Sequence, residues 1–216
     1  MTERQAAARR RELVAHLRER GITDERVLEA VGTVPRHRFI PDTGFHRDAY
    51  QDLALPIGEG QTISQPSTVA RMTELLGLEA GERVLEVGTG SGYQAAVLLA
   101  LGARVFSIER HAPLLRQTDG VFRALGLRVR TRSGDGTMGW PGYAPFDAIV
   151  VTAGGPEVPA ELLVQLREPA DSKPDARMLI PVGPADRHVL HRITRTATGY
   201  TDETFDGVLF VPLVRG

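Results

Sequence analysis

The chain reads as an α/β protein: a doubly wound, mostly parallel sheet closed by antiparallel C-terminal strands, with helices at its N-terminus. Two patterns predict this. From residue 83 onward, apolar β-rich runs (83–87, 103–108, 127–132 and 146–152) alternate with helix-forming runs (92–101, 112–125 and 159–166). Such alternation implies right-handed crossovers between parallel strands. After Pro174 the long helices stop and only strand-like runs remain, at 176–182, 187–195 and 203–213, which points to antiparallel closure. A length of 216 residues suits one domain able to bury a substantial core. It divides into a leading segment of helices and loop, 1–66, and the α/β core, 67–216.

The leading segment opens with a helix over residues 2–20. Thr2 and Gln5 are spaced for a capping box, and Gly21 supplies the stop. The Arg9-Arg10-Arg11 run is balanced by Glu3, Glu12 and Glu19 and reads as a solvated helix face. Thr23 or Asp24 can cap a second helix reaching Val31, ended near Gly32 and Pro35. Residues 36–66 form a long connection punctuated by Pro41, Gly44, Pro56, Gly58, Gly60 and Pro66. Loops this long are usually functional or disordered. Phe39, Phe45, Tyr50, Leu53, Leu55 and Ile57 predict that this one is packed. Ser67 stands where it can cap a helix through Leu76, with Val69, Met72, Leu75 and Leu76 as its apolar stripe.

Composition narrows the function classes. Apolar residues make up 42% and charged residues 25%, and the formal net charge of −1 gives no overall pull toward nucleic acid or an anionic membrane. No apolar run approaches the ~18 residues of a membrane span, and the charged N-terminus lacks a secretion signal's apolar centre. With no cysteine, the chain has neither disulfides nor thiolate chemistry. The expectation is a cytoplasmic monomer with no nucleic-acid or membrane partner.

The most informative stretch is Arg83-Val84-Leu85-Glu86-Val87-Gly88-Thr89-Gly90-Ser91-Gly92-Tyr93, followed at once by the helix-forming run 94–100. A strand passing through glycines into a helix exposes backbone N–H groups at a positive helix end, and glycine lets a ligand approach the main chain closely. The next strand-like run ends in Glu109, twenty-one residues after Gly88. A carboxylate there can accept hydrogen bonds from both hydroxyls of a ribose. These features predict a nucleoside-containing cofactor. A dinucleotide fingerprint ends in a small residue, whereas Tyr93 stands at that position. With Gly88, Gly90 and Gly92 in the loop and Glu86 just before it, the pattern is similar to the first motif of Rossmann-like class I methyltransferases, which bind S-adenosyl-L-methionine.

Several segments carry a wider resemblance. Residues 49–58 (Ala-Tyr-Gln-Asp-Leu-Ala-Leu-Pro-Ile-Gly) and Gly60-Gln61-Thr62-Ile63-Ser64-Gln65-Pro66 are the most specific. Further matches are Gly88 to Tyr93, Ser107-Ile108-Glu109-Arg110, Gly134-Asp135-Gly136, residues 144–147, Gln165-Leu166, Pro181-Val182-Gly183 and Phe210-Val211-Pro212-Leu213. The chain closely resembles the protein-L-isoaspartate O-methyltransferase family from Val34 to Leu213.

The resemblance implies methyl transfer from S-adenosyl-L-methionine to the α-carboxylate of L-isoaspartyl residues in damaged proteins and peptides. It makes Ser64 the active-site residue, orienting that carboxylate, with Thr62 and Ile63 in the same pocket. It assigns the cofactor to Glu86, Gly88, Thr89, Gly90, Ser91, Gly92, Glu109, Arg110, Asp135 and Gly136, with Asp135 as the adenine contact. The chemistry suits these residue types. A carboxylate with a pKa near ~4 is already ionised at neutral pH and needs no general base. Positioning and exclusion of water should then supply most of the rate.

Other candidates read more simply. On a strand, the odd spacing of His188 and His191 sends them to opposite faces, against a shared metal. Asp147 reads as a sheet brace, Trp140 and Tyr143 as a loop beside the adenine, and Tyr50 and Asp52 as the substrate mouth. Two departures from the family pattern stand out: the glycine-free stretch 167–177, read as an altered surface loop, and His188, where the family often has glutamine. Alternative readings are a different carboxylate acceptor and a nicotinamide-dependent oxidoreductase.

Overall fold

The computed structural model describes residues 2–41, 44–170 and 174–215. Helix α1 runs Glu3–Glu19 with the capping box in place: Gln5 N–H donates to Thr2 Oγ1 at 3.3 Å, and Thr2 N–H to Gln5 Oε1 at 2.9 Å. Asp24 caps α2, Glu25–Thr33. The long connection is packed around Phe39, Tyr50, Leu55 and Ile57, which are buried, while Phe45 and Leu53 stay exposed. It contains a hairpin that hydrophobic period alone did not announce, β1 (Leu55–Gly58) against β2 (Gln61–Ile63). Its turn uses positive φ at Gly58, Glu59 and Gly60. Helix α3, Pro66–Leu76, begins two residues earlier than expected: Gln65, not Ser67, is the N-cap and Pro66 occupies the first turn, where its missing N–H costs nothing.

The core elements follow as β3 (Arg83–Val87), α4 (Tyr93–Ala100), β4 (Arg104–Glu109), α5 (Ala112–Leu125), β5 (Arg130–Ser133), β6 (Ala148–Val151), α6 (Ala160–Leu163), β7 (Arg177–Val182), β8 (His188–Thr196) and β9 (Gly199–Val208). The sheet order is β5-β4-β3-β6-β7-β8-β9. The first five strands are parallel, and β8 and β9 close the sheet antiparallel, as the change of pattern after Pro174 predicted. Several boundaries differ: β5 begins three residues later than expected and β9 four residues earlier. The expected 159–166 helix is a single turn, and the expected last strand leaves the sheet after Val208. Residues 209–215 instead cross back to Gly154, which donates to Val211 O at 2.8 Å and accepts from Leu213 N–H at 2.7 Å.

Alternate residues of the central strands feed two apolar cores. Val84, Val150 and Leu179 pack under α1–α4, whereas Leu85, Val87, Ile149, Val151, Met178 and Ile180 face Leu162 and Leu166. Strands buried on both faces read as continuous apolar runs, which is why β3 and β6 were legible. Asp147 does brace the sheet edge: its carboxylate accepts from Arg83 N–H at 2.9 Å and from Arg167 Nε at 2.8 Å. Arg167 also donates to Pro174 O at 2.5 Å, anchoring the far side of the glycine-free stretch. The Asp171–Lys173 part of that stretch lies outside the described residues.

Candidate active site

A cleft of about 910 Å³ opens at the C-terminal ends of β3, β4 and β6, where ligands sit in open α/β sheets. A smaller hollow of about 360 Å³ adjoins it, and the two share Thr62, Ser64, Thr68, Thr152, Phe210 and Val211. Ser64 therefore stands at their junction. Its place is fixed from both sides. Ile63 is buried in the core, and Asp52 reaches across from the preceding loop to accept the Ser67 N–H at 2.9 Å, capping α3 in place of a local side chain. Gln65 Nε2 adds a bond to Asp52 O at 3.1 Å. Ser64 is thus released from any capping role, and its hydroxyl makes no hydrogen bond among the described residues.

The glycine loop forms the opposite wall. Gly88, Gly90 and Gly92 take φ of +98°, +51° and +85°, values that disfavour any other residue. Two of them are demanded by the protein's own packing. A Cβ on Gly88 would run into Thr152 Oγ1, and one on Gly92 would lie 2.5 Å from the Phe122 ring. Glu109, the last residue of β4, is buried, with each oxygen pinned: Oε2 accepts from Gly90 N–H at 2.8 Å and Oε1 from His111 N–H at 2.9 Å. A carboxylate offers about four acceptor sites, so both oxygens keep capacity for a ligand.

Of the residues expected at the site, Thr62, Ile63, Ser64, Gly88, Thr89, Gly90, Ser91, Glu109, Arg110 and Gly136 line the cleft. Glu86, Gly92 and Asp135 do not. Glu86 is sealed behind the loop with no exposed surface. Asp135 Oδ1 caps the following 3-10 turn through Thr137 N–H at 2.8 Å and Thr137 Oγ1 at 2.7 Å. That turn is held from below by Gln165, which accepts the Trp140 N–H at 2.7 Å and donates to Met138 O at 2.9 Å. Trp140 and Tyr143 are not part of the cleft. They pack on Phe106 and Phe146 in an aromatic cluster overlaid by Arg83, Arg130 and Arg132. Tyr50 bonds His37 at 2.7 Å. His188 is buried against Gly154, and His191 pairs with Asp202 at 2.9 Å.

The sequence pattern of the family described as protein-L-isoaspartate(D-aspartate) O-methyltransferase matches residues 8–216. The chain belongs to that family. A protein-L-isoaspartate O-methyltransferase of Salinibacter ruber is 56% identical over 98% of this chain and 94% of its own length. A namesake from Methylorubrum populi is 51% identical over 97% and 96%. Among solved structures, a protein-L-isoaspartate O-methyltransferase superposes with a TM-score of 0.85 at 28% identity, over 96% of this chain and 66% of that one, just under two thirds. A Plasmodium falciparum β-aspartate methyltransferase in complex with S-adenosyl-L-homocysteine gives 0.79 at 25% identity, over 95% and 98%. The fold is that of the Rossmann-like class I methyltransferases.

Against this family background, the cleft residues fit a nucleoside cofactor: loop amides, a pre-oriented buried carboxylate at Glu109, and Gly136, where a Cβ would strike Val87. Thr68 and Thr152 were not singled out from the sequence, and the strap Phe210–Val214 only as a family match inside an expected strand, yet all of them line the cleft. Thr152 had a legible signal, since it follows the C-terminal end of a parallel strand. The strap was expected to continue the last strand, but β9 ends at Val208.

Proposed function

We infer that this chain transfers a methyl group from S-adenosyl-L-methionine to the α-carboxylate of L-isoaspartyl residues in damaged proteins and peptides. The observation that carries the reading is Ser64: an unengaged hydroxyl at the junction of the glycine-loop cleft and the adjoining hollow. S-adenosyl-L-methionine supplies a methyl group on a positively charged sulfur. The loop Gly88–Ser91, Glu109, Arg110 and the Gly136 turn would hold it, with Glu109 accepting from the ribose. Ser64 donates one hydrogen bond to the acceptor carboxylate, which orients it without protonating it. No base is needed, because an ordinary carboxyl is ionised at neutral pH. Ile63, Met72, Phe210 and Val211 line the space with apolar surface and thin out water. Removing water favours a step in which opposite charges neutralise.

The substrate's flanking chain would lie in the second hollow, over Ala54 and the exposed Leu209. This reading takes the chain as a cytoplasmic monomer. Among the described residues no helix is long and apolar enough to cross a membrane. The test is incubation with labelled S-adenosyl-L-methionine and an isoaspartyl peptide. A base-labile ester on that peptide, and none on the aspartyl peptide, is expected, and absence of label on both rejects the reading. Ser64→Ala should lower kcat by about 10²-fold, the scale of lost alignment, while S-adenosylhomocysteine binding stays within about twofold. Unchanged turnover would remove Ser64 from the mechanism.

A further inference from the structure

Glu86 is the one site-region carboxyl that nothing above employs. It has no exposed surface, and its side chain shares a sheet face with Ser107, its register partner on β4. Its Oε2 makes a short hydrogen bond with Ser107 Oγ, and Ser107 Oγ lies 2.6 Å from Thr89 Oγ1. Its Oε1 has no hydrogen-bond partner among the described residues. Thr89 forms part of the cleft wall. Three groups thus run in line from a sealed carboxyl to the cofactor cleft.

Each hydroxyl in such a chain has a single proton, so the direction of the whole chain follows from its closed end. If Glu86 is ionised, Ser107 must donate to it, Thr89 must donate to Ser107, and Thr89 offers the cleft only lone pairs. If Glu86 carries a proton, the order reverses. Glu86 then donates to Ser107, Ser107 donates to Thr89, and the Thr89 proton is free to turn into the cleft.

The surroundings favour the second arrangement. Among the described residues no basic side chain acts on Glu86. On β4 its neighbours are Ser107 and the carboxylate of Glu109, on β6 its register partner is Val150, and from α4 it meets the backbone of Ala95. An unpaired charge buried beside a like charge is costly, and a carboxyl so placed keeps its proton. Burial, followed at a distance by the nearby Glu109, pushes Glu86 up to about 8 against the pull of the Ser107 hydroxyl and of the Ala95 backbone N–H.

We propose that Glu86 is a neutral positioning residue whose proton sets the direction of the Ser107–Thr89 hydroxyl chain and so makes Thr89 a hydrogen-bond donor to the cofactor. The natural recipient is the carboxylate of the cofactor's amino-acid end, the anionic acceptor in a molecule of this class. The proposal rests on the S-adenosyl-L-methionine reading only for the choice of ligand.

The experiment measures S-adenosylhomocysteine affinity by calorimetry from pH 6.5 to 9.5 in wild type and in Glu86→Gln. The amide can donate to Ser107 at every pH, and comparing the two proteins cancels the ligand's own titration. Wild type should lose affinity relative to the variant across this range by about tenfold, the scale of one charge-assisted hydrogen bond. Parallel profiles in the two proteins would overturn the proposal. The ligand-free protein gives an independent reading: a protonated-carboxyl infrared band at pH 7 that vanishes in Glu86→Gln is expected, and its absence from wild type overturns the proposal. Failure of S-adenosylhomocysteine to bind either protein would instead defeat the cofactor reading, and the infrared band alone would then decide the state of Glu86.

Discussion

Glu86 and Glu109 stand on neighbouring strands and on the same sheet face, one pleat apart, yet the fold makes them opposites. Glu109 ends β4 one residue beyond its pairing with β3, and meets the backbone N–H groups of Gly90 and His111. Glu86 sits one residue inside the end of β3, beneath the loop, where the Ser107 hydroxyl and the Ala95 backbone oppose a full burial. At Glu86 burial outweighs the donors that reach it, and such burial stabilises the neutral acid. The difference teaches that a single pleat decides whether an acidic residue at a strand end lines the cleft or is sealed behind its wall.

Three substitutions probe that contrast. The largest effect on binding is expected for Glu109→Ala, which removes the proposed ribose acceptor and the anchor of both amides. S-adenosylhomocysteine affinity should fall by about 10²-fold or more, near 3 kcal/mol for two charge-assisted bonds. A drop below tenfold, read by calorimetry, would erase the distinction drawn for Glu109. Next is the stability of Glu86→Gln. A carboxyl raised from 4.5 to about 8 binds its proton more tightly folded than unfolded. Its stabilisation is complete below about pH 4.5 and lost as pH rises toward 8, at roughly 1.4 kcal/mol per pH unit. Denaturant titrations at pH 5 and 8 should show wild type losing stability relative to the variant. An unchanged difference would mean that Glu86 is ionised in the fold. The smallest effect is expected for Glu109→Gln, which keeps the size and one acceptor oxygen. Affinity should drop by less than about tenfold, while the amide nitrogen left facing the N–H of Gly90 or His111 lowers the melting temperature by a few degrees.

Legibility followed the range of the interactions. The capping box at Thr2 and Gln5, the alternation of β3 to β6, and the glycine loop all arise within a few residues, and each was readable. The hairpin of β1 and β2 was hidden because its strands are four and three residues long, too short for a period to declare itself. The cap of α3 was misplaced because the capping carboxylate, Asp52, lies 15 residues away in sequence. The aromatic pair Trp140 and Tyr143 was set beside the cleft, but Phe106 and the arginines above it bind the pair elsewhere.

By itself the chain's order of residues determined the sheet class, the turn that faces a nucleoside, the acid at the end of β4 and, through family likeness, the serine at position 64. Only the tertiary structure decided which acids touch the cleft, that the strap Phe210–Val214 closes it, and that Glu86 is sealed away. The reason is physical. Local pattern sets dihedral angles and faces, whereas burial and the charge of a neighbour depend on strands that meet only when the sheet has formed.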